Sequence, residues 1–154
     1  MICLLTLGFV DGMFVKPLVS YAAAIDPMIV VNACVITTAL FVGLTLISLF
    51  TKKRSLLFLG GIASSIMLWF SLASLIGWLM GYSVLSYMQY NFLMIGVFSM
   101  YTIYDTQIII VKHERGDNNH FAHALDLFID FVRLFIHILR ILIKLSEDKD
   151  KKKK

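Results

Sequence analysis

Two aspartates, Asp105 and Asp130, stand out because each lies in an apolar run where a lipid-facing residue would not carry charge. The runs flank a polar segment, residues 112–120, and the midpoint between the aspartates falls inside it. If the runs are antiparallel helices, both carboxyl groups lie roughly 10–12 Å inside the membrane surface, at about 1.5 Å per residue. Charged groups at that depth usually face a bundle interior or a water-filled cavity. We therefore predict that this pair is the working part of the protein.

The pair offers proton chemistry. Two carboxyl groups within a few ångströms of each other cannot both ionise cheaply, so they titrate as one unit. We predict that Asp105 and Asp130 lie within one side chain's reach and share a proton. An inert alternative remains open for each residue. Asp105 could be a structural acceptor for Thr102 or Thr106, and Asp130 could simply pair with Arg133.

A polar stripe extends along the last apolar segment. Its members recur at spacings of four, three, four, three and four: Asp126, Asp130, Arg133, His137, Arg140 and Lys144. Such residues share one helix face, and charges on an otherwise apolar membrane helix need partners or water. We predict that Asp126, Asp130, Arg133 and His137 point into a bundle with this segment at its centre. The alternative is an amphipathic helix lying on the membrane surface.

The composition indicates a multi-span membrane protein. The chain has 154 residues, of which 59% are apolar and 16% charged, and apolar runs near 20 residues recur. We predict an all-α bundle of five segments, at about 2–21, 28–50, 56–79, 90–111 and 121–145, followed by a disordered lysine-rich tail at 146–154. The net charge of +4 comes largely from that tail, so nucleic acid is not an expected partner. No disulfide, metal site, cofactor or cleaved signal peptide is predicted.

Single residues and clusters of charge indicate where the first segment ends and on which side of the membrane the loops lie. Pro17 is expected to kink or end the first segment. Basic residues at 52–54, together with Lys112 and Arg115, indicate a cytoplasmic side by the positive-inside rule. The tail is also basic and is expected in the cytoplasm. The two assignments conflict, so the fifth segment is either re-entrant or carries its tail to the far side.

Three stretches resemble the closing part of the Bax inhibitor one family, the transmembrane Bax inhibitor motif proteins. They are Asp105-Thr106-Gln107, Glu114-Arg115-Gly116-Asp117 and Asp126-Leu127-Phe128-Ile129-Asp130-Phe131. Further matches are Arg54-Ser55, Phe58-Leu59-Gly60-Gly61 and the lysine-rich end. The resemblance implies an all-helical membrane bundle of roughly seven segments. The first two have no counterpart here, so the chain resembles an amino-terminally truncated form without the family's basic partner for the aspartates. Lys16-Pro17 stands where the family has Gly-Pro.

The resemblance also implies a function. It implies residence in the endoplasmic reticulum membrane, suppression of cell death and a pH-sensitive calcium leak. Asp105 and Asp130 would be the paired aspartates that gate the leak by protonation, with calcium as the transported ion. The last residues, including Lys151 and Lys152, resemble a dilysine retrieval signal. Expected partners are membrane lipid and membrane-anchored apoptosis regulators, and the sequence does not give an oligomeric state.

Two other functions fit parts of the pattern. A non-conducting module could bind apoptosis regulators without any ion flux. An intramembrane aspartyl protease also uses two facing aspartates, and Tyr104-Asp105 matches half of its signature. The other half, Gly-x-Gly-Asp, is absent because Asp130 follows Phe128-Ile129. We therefore expect no enzyme activity.

Overall fold

The computed structural model describes residues 2–51, 55–116 and 120–153, which form five α-helices. These are α1 (Ile2–Ile25), α2 (Pro27–Phe50), α3 (Phe58–Met80), α4 (Tyr87–Glu114) and α5 (His120–Lys153). No strand occurs in these ranges, so the predicted all-α class is confirmed. The basic cluster at 52–54 and the centre of the polar loop at 117–119 lie outside the described residues.

Short connectors with capping residues separate consecutive helices. Asp26 ends α1 and caps α2, since its Oδ1 accepts a 2.9 Å hydrogen bond from the Met28 amide. Gly81 ends α3 with φ = 76°, a conformation that an L side chain disfavours. Ser86 and Gln89 then form a capping box at the start of α4. These caps satisfy orphan backbone groups and allow tight reversals of the chain.

Helix α1 does not end at Pro17. The helix continues through the proline to Ile25. Membrane helices tolerate a proline because neighbouring helices and local adjustments satisfy the freed backbone groups. Beyond Pro17, α1 buries Ala22 against Ala33 of α2 and Leu139 of α5. Of the two predicted effects of Pro17, an end of the helix at this residue is therefore wrong, and a kink stays a prediction.

The helices run alternately up and down. Helix α5 packs against α1, α2 and α4, whereas α3 contacts α4 alone among the described helices. Residue pairs at both ends show that α5 returns along the whole of α4: Asp130 lies beside Asp105, and His137 lies beside Asn91. Helix α5 is therefore a central element, as predicted, and it shows no re-entrant break.

Among the described residues, three helices are long and apolar enough to cross a membrane: α2, α3 and α4. In α1 the shorter stretch Gly12–Ile25 is apolar, and α5 carries the charged stripe along its length. The outer face of α3 presents large apolar side chains such as Leu68 and Trp69. These features fit a multi-pass membrane protein in which the most charged helix, α5, packs against α1, α2 and α4.

The structure differs from the expected disordered tail, because α5 continues through Lys153. Charged side chains one turn apart support the extension: Lys144 Nζ lies 3.3 Å from Asp148 Oδ1. Such pairs stabilise exposed helices modestly. Lys151 and Lys152 therefore project from the end of a helix and are exposed.

Candidate functional site: a carboxyl pair between two helices

The structure brings Asp105 and Asp130 together. Their carboxyl groups lie close enough across the α4–α5 interface to act on each other. Two ionised carboxylates cannot hydrogen-bond to each other, so a bond between them requires one proton on the pair. Asp130 is 1% exposed, and among the described residues no hydrogen-bond partner reaches its Oδ2. The pair is therefore a contact between one buried and one partly buried carboxyl group, on α5 and α4 respectively.

Charged groups surround the pair from both helices. Asp126 and Arg133 of α5 act electrostatically on both carboxyl groups, and Lys112 of α4 acts on Asp105. Arg133 and Asp126 carry opposite charges, so their effects on the pair oppose each other. The net charge of this region therefore depends on whether the pair itself is protonated. Arg133, which was considered above as a partner of Asp130, therefore lies near the pair.

The predicted orientation of the stripe is only half right. Asp130 and His137 are buried, whereas Asp126 and Arg133 are exposed. The buried face of α5 is centred on Leu134, and the stripe lies at its edge. At about 100° per residue, Asp130 and His137 fall on the inner flank while Asp126 and Arg133 fall on the outer one. Spacing identified the stripe, but the position of α4 decided which members are covered.

His137 belongs to a second polar link between α4 and α5. Its Nδ1 lies 2.9 Å from Asn91 Oδ1, and Asn91 Nδ2 donates a 2.7 Å bond to the Tyr87 carbonyl oxygen. Because the amide oxygen can only accept, the Nδ1 atom carries the hydrogen. Asn91 is fully buried. The link satisfies a histidine and an asparagine that would otherwise be costly inside the bundle.

Aromatic rings enclose this second link. The Phe98 ring stacks on the His137 imidazole at 5.5 Å, and Tyr90 meets it edge-on at 5.8 Å. The Arg133 guanidinium lies 5.4 Å from the Phe98 centroid. Phe98 therefore contacts two residues of the stripe: Arg133, which acts on the carboxyl pair, and His137, which belongs to the second link.

A third polar link, between α2 and α4, was not predicted. Gln107 Nε2 donates a 2.6 Å bond to the Ser48 carbonyl oxygen, and Ser48 Oγ donates a 3.0 Å bond to the Ile103 carbonyl oxygen. Both side chains are buried. Isolated polar residues in an apolar helix, such as Asn91 and Gln107, were the sequence signal for these links.

The two basic ends of the bundle lie on opposite sides. Helix α5 starts near Arg115 and ends beside Tyr21, because the Tyr21 hydroxyl donates a 2.7 Å bond to Glu147 Oε1. If α5 crosses the membrane, Lys112 and Arg115 cannot lie on the same side as the lysine tail. At most one of the two cytoplasmic assignments made from charge can hold.

Within the residues that the structure describes, no cluster of three or more histidine, cysteine, aspartate or glutamate side chains could hold a metal ion. In the described ranges, Asp105 and Asp130 are therefore not joined by a third ligand of these types.

Comparison with known proteins identifies the family. Residues 1–147 match the family described as Inhibitor of apoptosis-promoting Bax1. The chain is 38% identical over 154 residues to Bax inhibitor 1 of Oryza sativa subsp. japonica. This alignment covers 98% of this chain and 61% of that protein. It is 36% identical to Probable Bax inhibitor 1 of Paralichthys olivaceus and 34% identical to Bax inhibitor 1 of Homo sapiens. Each of these alignments spans 147 residues and covers 96% of this chain and 62% of the relative.

The chain thus spans about three fifths of the length of these relatives. The relatives are named as inhibitors and not as enzymes. The matched range reaches into all five helices and contains positions 105 and 130. The chain therefore belongs to the Bax inhibitor 1 family of membrane proteins.

Proposed function

We propose that this protein restrains cell death in the endoplasmic reticulum membrane and mediates a pH-sensitive calcium leak gated by Asp105 and Asp130. The observation that carries the proposal is the close approach of the two carboxyl groups, which lie on the facing helices α4 and α5. Intramembrane carboxyl groups are uncommon and often mark ion or proton pathways. The relatives' name, Bax inhibitor 1, supports the role in cell death.

At neutral pH the pair holds one proton, and its remaining negative charge is attracted to Arg133. Acidification adds a second proton and removes that charge, so the attraction to Arg133 is lost. The contact between α4 and α5 weakens, and the ends of the two helices near Arg115 can separate. Neutral pH therefore favours the closed form and low pH the open form. A two-state element of this kind needs a bias of only a few kcal/mol.

The test is calcium flux from liposomes that contain this chain, measured across pH. Flux should rise on acidification. Asp130→Asn should flatten the pH dependence because an amide cannot titrate, and Asp105→Asn should do the same because the two groups act as a unit. Asp126→Asn is the comparison variant, because it removes one exposed neighbouring charge and leaves both carboxyl groups of the pair in place. It should leave most of the pH dependence in place.

Flux that stays fully pH-dependent in the double variant Asp105→Asn, Asp130→Asn would refute this gate. A non-conducting binding module predicts a different result, namely cell-death suppression that survives in Asp130→Asn while flux is absent. Cleavage of a model membrane substrate that is lost in both single variants would instead support the protease alternative.

The proposed location in the endoplasmic reticulum membrane rests on a different feature from the gate, the basic end of α5. The exposed Lys151 and Lys152 at the end of α5 fit a cytoplasmic retrieval signal. The antiparallel packing of α4 and α5 then assigns Lys112 and Arg115 to the lumen. Lys151→Ser with Lys152→Ser should release the protein from the endoplasmic reticulum. A protease added outside sealed microsomes should remove an epitope at the carboxyl end, and its protection would reverse the assigned orientation.

A further inference from the structure

A cavity of about 310 Å³ lies where the second half of α5 passes the end of α1 and the start of α4. Its volume is at the lower end of the range for ligand pockets, about 300–1,000 Å³. Apolar side chains and tyrosines from α1, α4 and α5 form its walls: Leu18, Ile143, Tyr21 and Tyr87. The cavity is separate from the carboxyl pair, since its α5 residues begin ten positions beyond Asp130, at Arg140.

Arg140 gives the cavity a cation. The side chain is partly buried, and no carboxylate of the described residues lies within 4.0 Å of it. Arginine remains charged in proteins, and its planar group matches two oxygens of a phosphate at once. A cation of this kind at the wall of a cavity favours an anionic group inside it.

Glu147 gives the cavity an oriented carboxylate. The Tyr21 hydroxyl donates a 2.7 Å bond to Glu147 Oε1 and fixes the side chain. Lys144 Nζ lies 3.3 Å from Asp148 Oδ1 but 4.0 Å from Glu147 Oε2, so its closer partner is Asp148. Within the described part of the chain, Glu147 Oε2 therefore has no direct hydrogen bond. It is an acceptor available to a second cation.

The position of the cavity indicates a membrane ligand. Tyr87 begins α4, and Trp78 and Tyr82 lie at the same end of the bundle, close to the turn after α3. Tyrosine and tryptophan are enriched where membrane hydrocarbon meets water, the level at which lipid headgroups lie. Pockets between membrane helices that carry basic groups bind such headgroups.

We propose that this cavity binds the headgroup of a zwitterionic phospholipid that carries a primary amine. The phosphate pairs with Arg140, and the ammonium group pairs with Glu147 while the tyrosine rings add cation–π attraction. The glycerol and the start of the acyl chains lie against Leu18 and Ile143. Lys144 also lines the cavity, but its charge is paired with Asp148. Arg140 and Glu147 are therefore the two charges available to a ligand, and together they select a headgroup without net charge over an anionic one.

Lipid retention by the purified full chain tests the proposal. The protein is exchanged into detergent with equal amounts of phosphatidylethanolamine and phosphatidylglycerol, and bound lipid is counted by native mass spectrometry. The wild type should retain phosphatidylethanolamine about tenfold better, equivalent to about 1.4 kcal/mol. Arg140→Gln should reduce retention of both lipids. Glu147→Gln should abolish the preference, and Tyr21→Phe should weaken it because Glu147 is no longer held.

Arg115→Gln is the matched control, because Arg115 is an exposed arginine at the opposite end of α4. It should retain lipid as the wild type does, and circular dichroism checks that every variant is helical. Equal retention of the two lipids by the wild type would overturn the proposal, as would unchanged retention in Arg140→Gln. Displacement of the lipid by inorganic phosphate alone would also overturn it, because the ligand would then be a free anion.

Discussion

Gln107 Nε2 donates a hydrogen bond of 2.6 Å to the backbone carbonyl oxygen of Ser48, which joins α4 to α2 two residues beyond Asp105. The Ser48 hydroxyl returns a bond to the carbonyl oxygen of Ile103, so each helix donates to the other. Helix α4, which carries Asp105 of the carboxyl pair, is therefore also bonded to α2. A change at Asp105 is expected to move α5 relative to α4, and not α2 relative to α4.

The Ser48–Gln107 link should contribute measurably to stability. Ser48→Ala removes the bond to the Ile103 carbonyl oxygen and should lower the free energy of unfolding by about 0.6 kcal/mol, with about 1.7 as the upper limit for bonds between membrane helices. Unfolding in mixed detergent micelles measures the change. Ser65→Ala is the matched control, because Ser65 is exposed and bonds to Gly61 of its own helix. Equal losses in the two variants would show that the link between helices adds nothing.

Gly60 should be essential for the contact of α3 with α4. A Cβ atom at Gly60 would lie 2.5 Å from the Tyr104 ring, whereas a Cβ at Gly61 would meet nothing within 4 Å. Gly60→Ala should therefore lower stability by about 1–3 kcal/mol, the usual cost of overpacking. Gly61→Ala should be neutral or slightly stabilising, since alanine favours helix. Thermal unfolding in detergent compares the adjacent variants, and equal melting temperatures would contradict the close approach.

The Asn91–His137 link should behave as one unit. Asn91→Ala leaves the buried His137 Nδ1–H without its acceptor and should cost about 1–3 kcal/mol. The double variant Asn91→Ala, His137→Leu should cost less than the sum of the single changes, because the unpaired group has gone. Asn32→Ala, at an exposed position of α2, is the control. Additive losses in this double-mutant cycle would rule out the link.

The shared proton should make stability depend on pH. The link between Asp105 and Asp130 needs one proton, so its loss at alkaline pH places two negative charges together. Wild-type stability should fall as the pH rises above the range in which a free carboxyl group titrates, about pH 4, and level off once the folded pair has lost its proton, because the folded state binds a proton that the unfolded state releases. Asp130→Asn should remove this fall, because its amide donates to Asp105 without a titrating proton. Denaturation midpoints measured at several pH values decide the matter. A wild-type profile that matches that of Asp130→Asn would contradict the shared proton.

The sequence by itself determined the class and the centre of this protein. Apolar runs with charged interruptions predicted the helices, and the symmetric placement of Asp105 and Asp130 about a polar loop predicted their meeting. Both conclusions rest on helix geometry and on the cost of charge in lipid, which act locally along the chain. The family resemblance came from short motifs around the same two aspartates.

Only the tertiary structure decided which polar residues are covered. The stripe on α5 is continuous in sequence, yet Asp130 is buried and Arg133 is exposed, because α4 packs against one flank of it. The partners Asn91, Ser48 and Tyr21 lie on other helices, so spacing along α5 could not identify them. Burial depends on where a neighbouring helix lies, and that position follows from packing between all the helices.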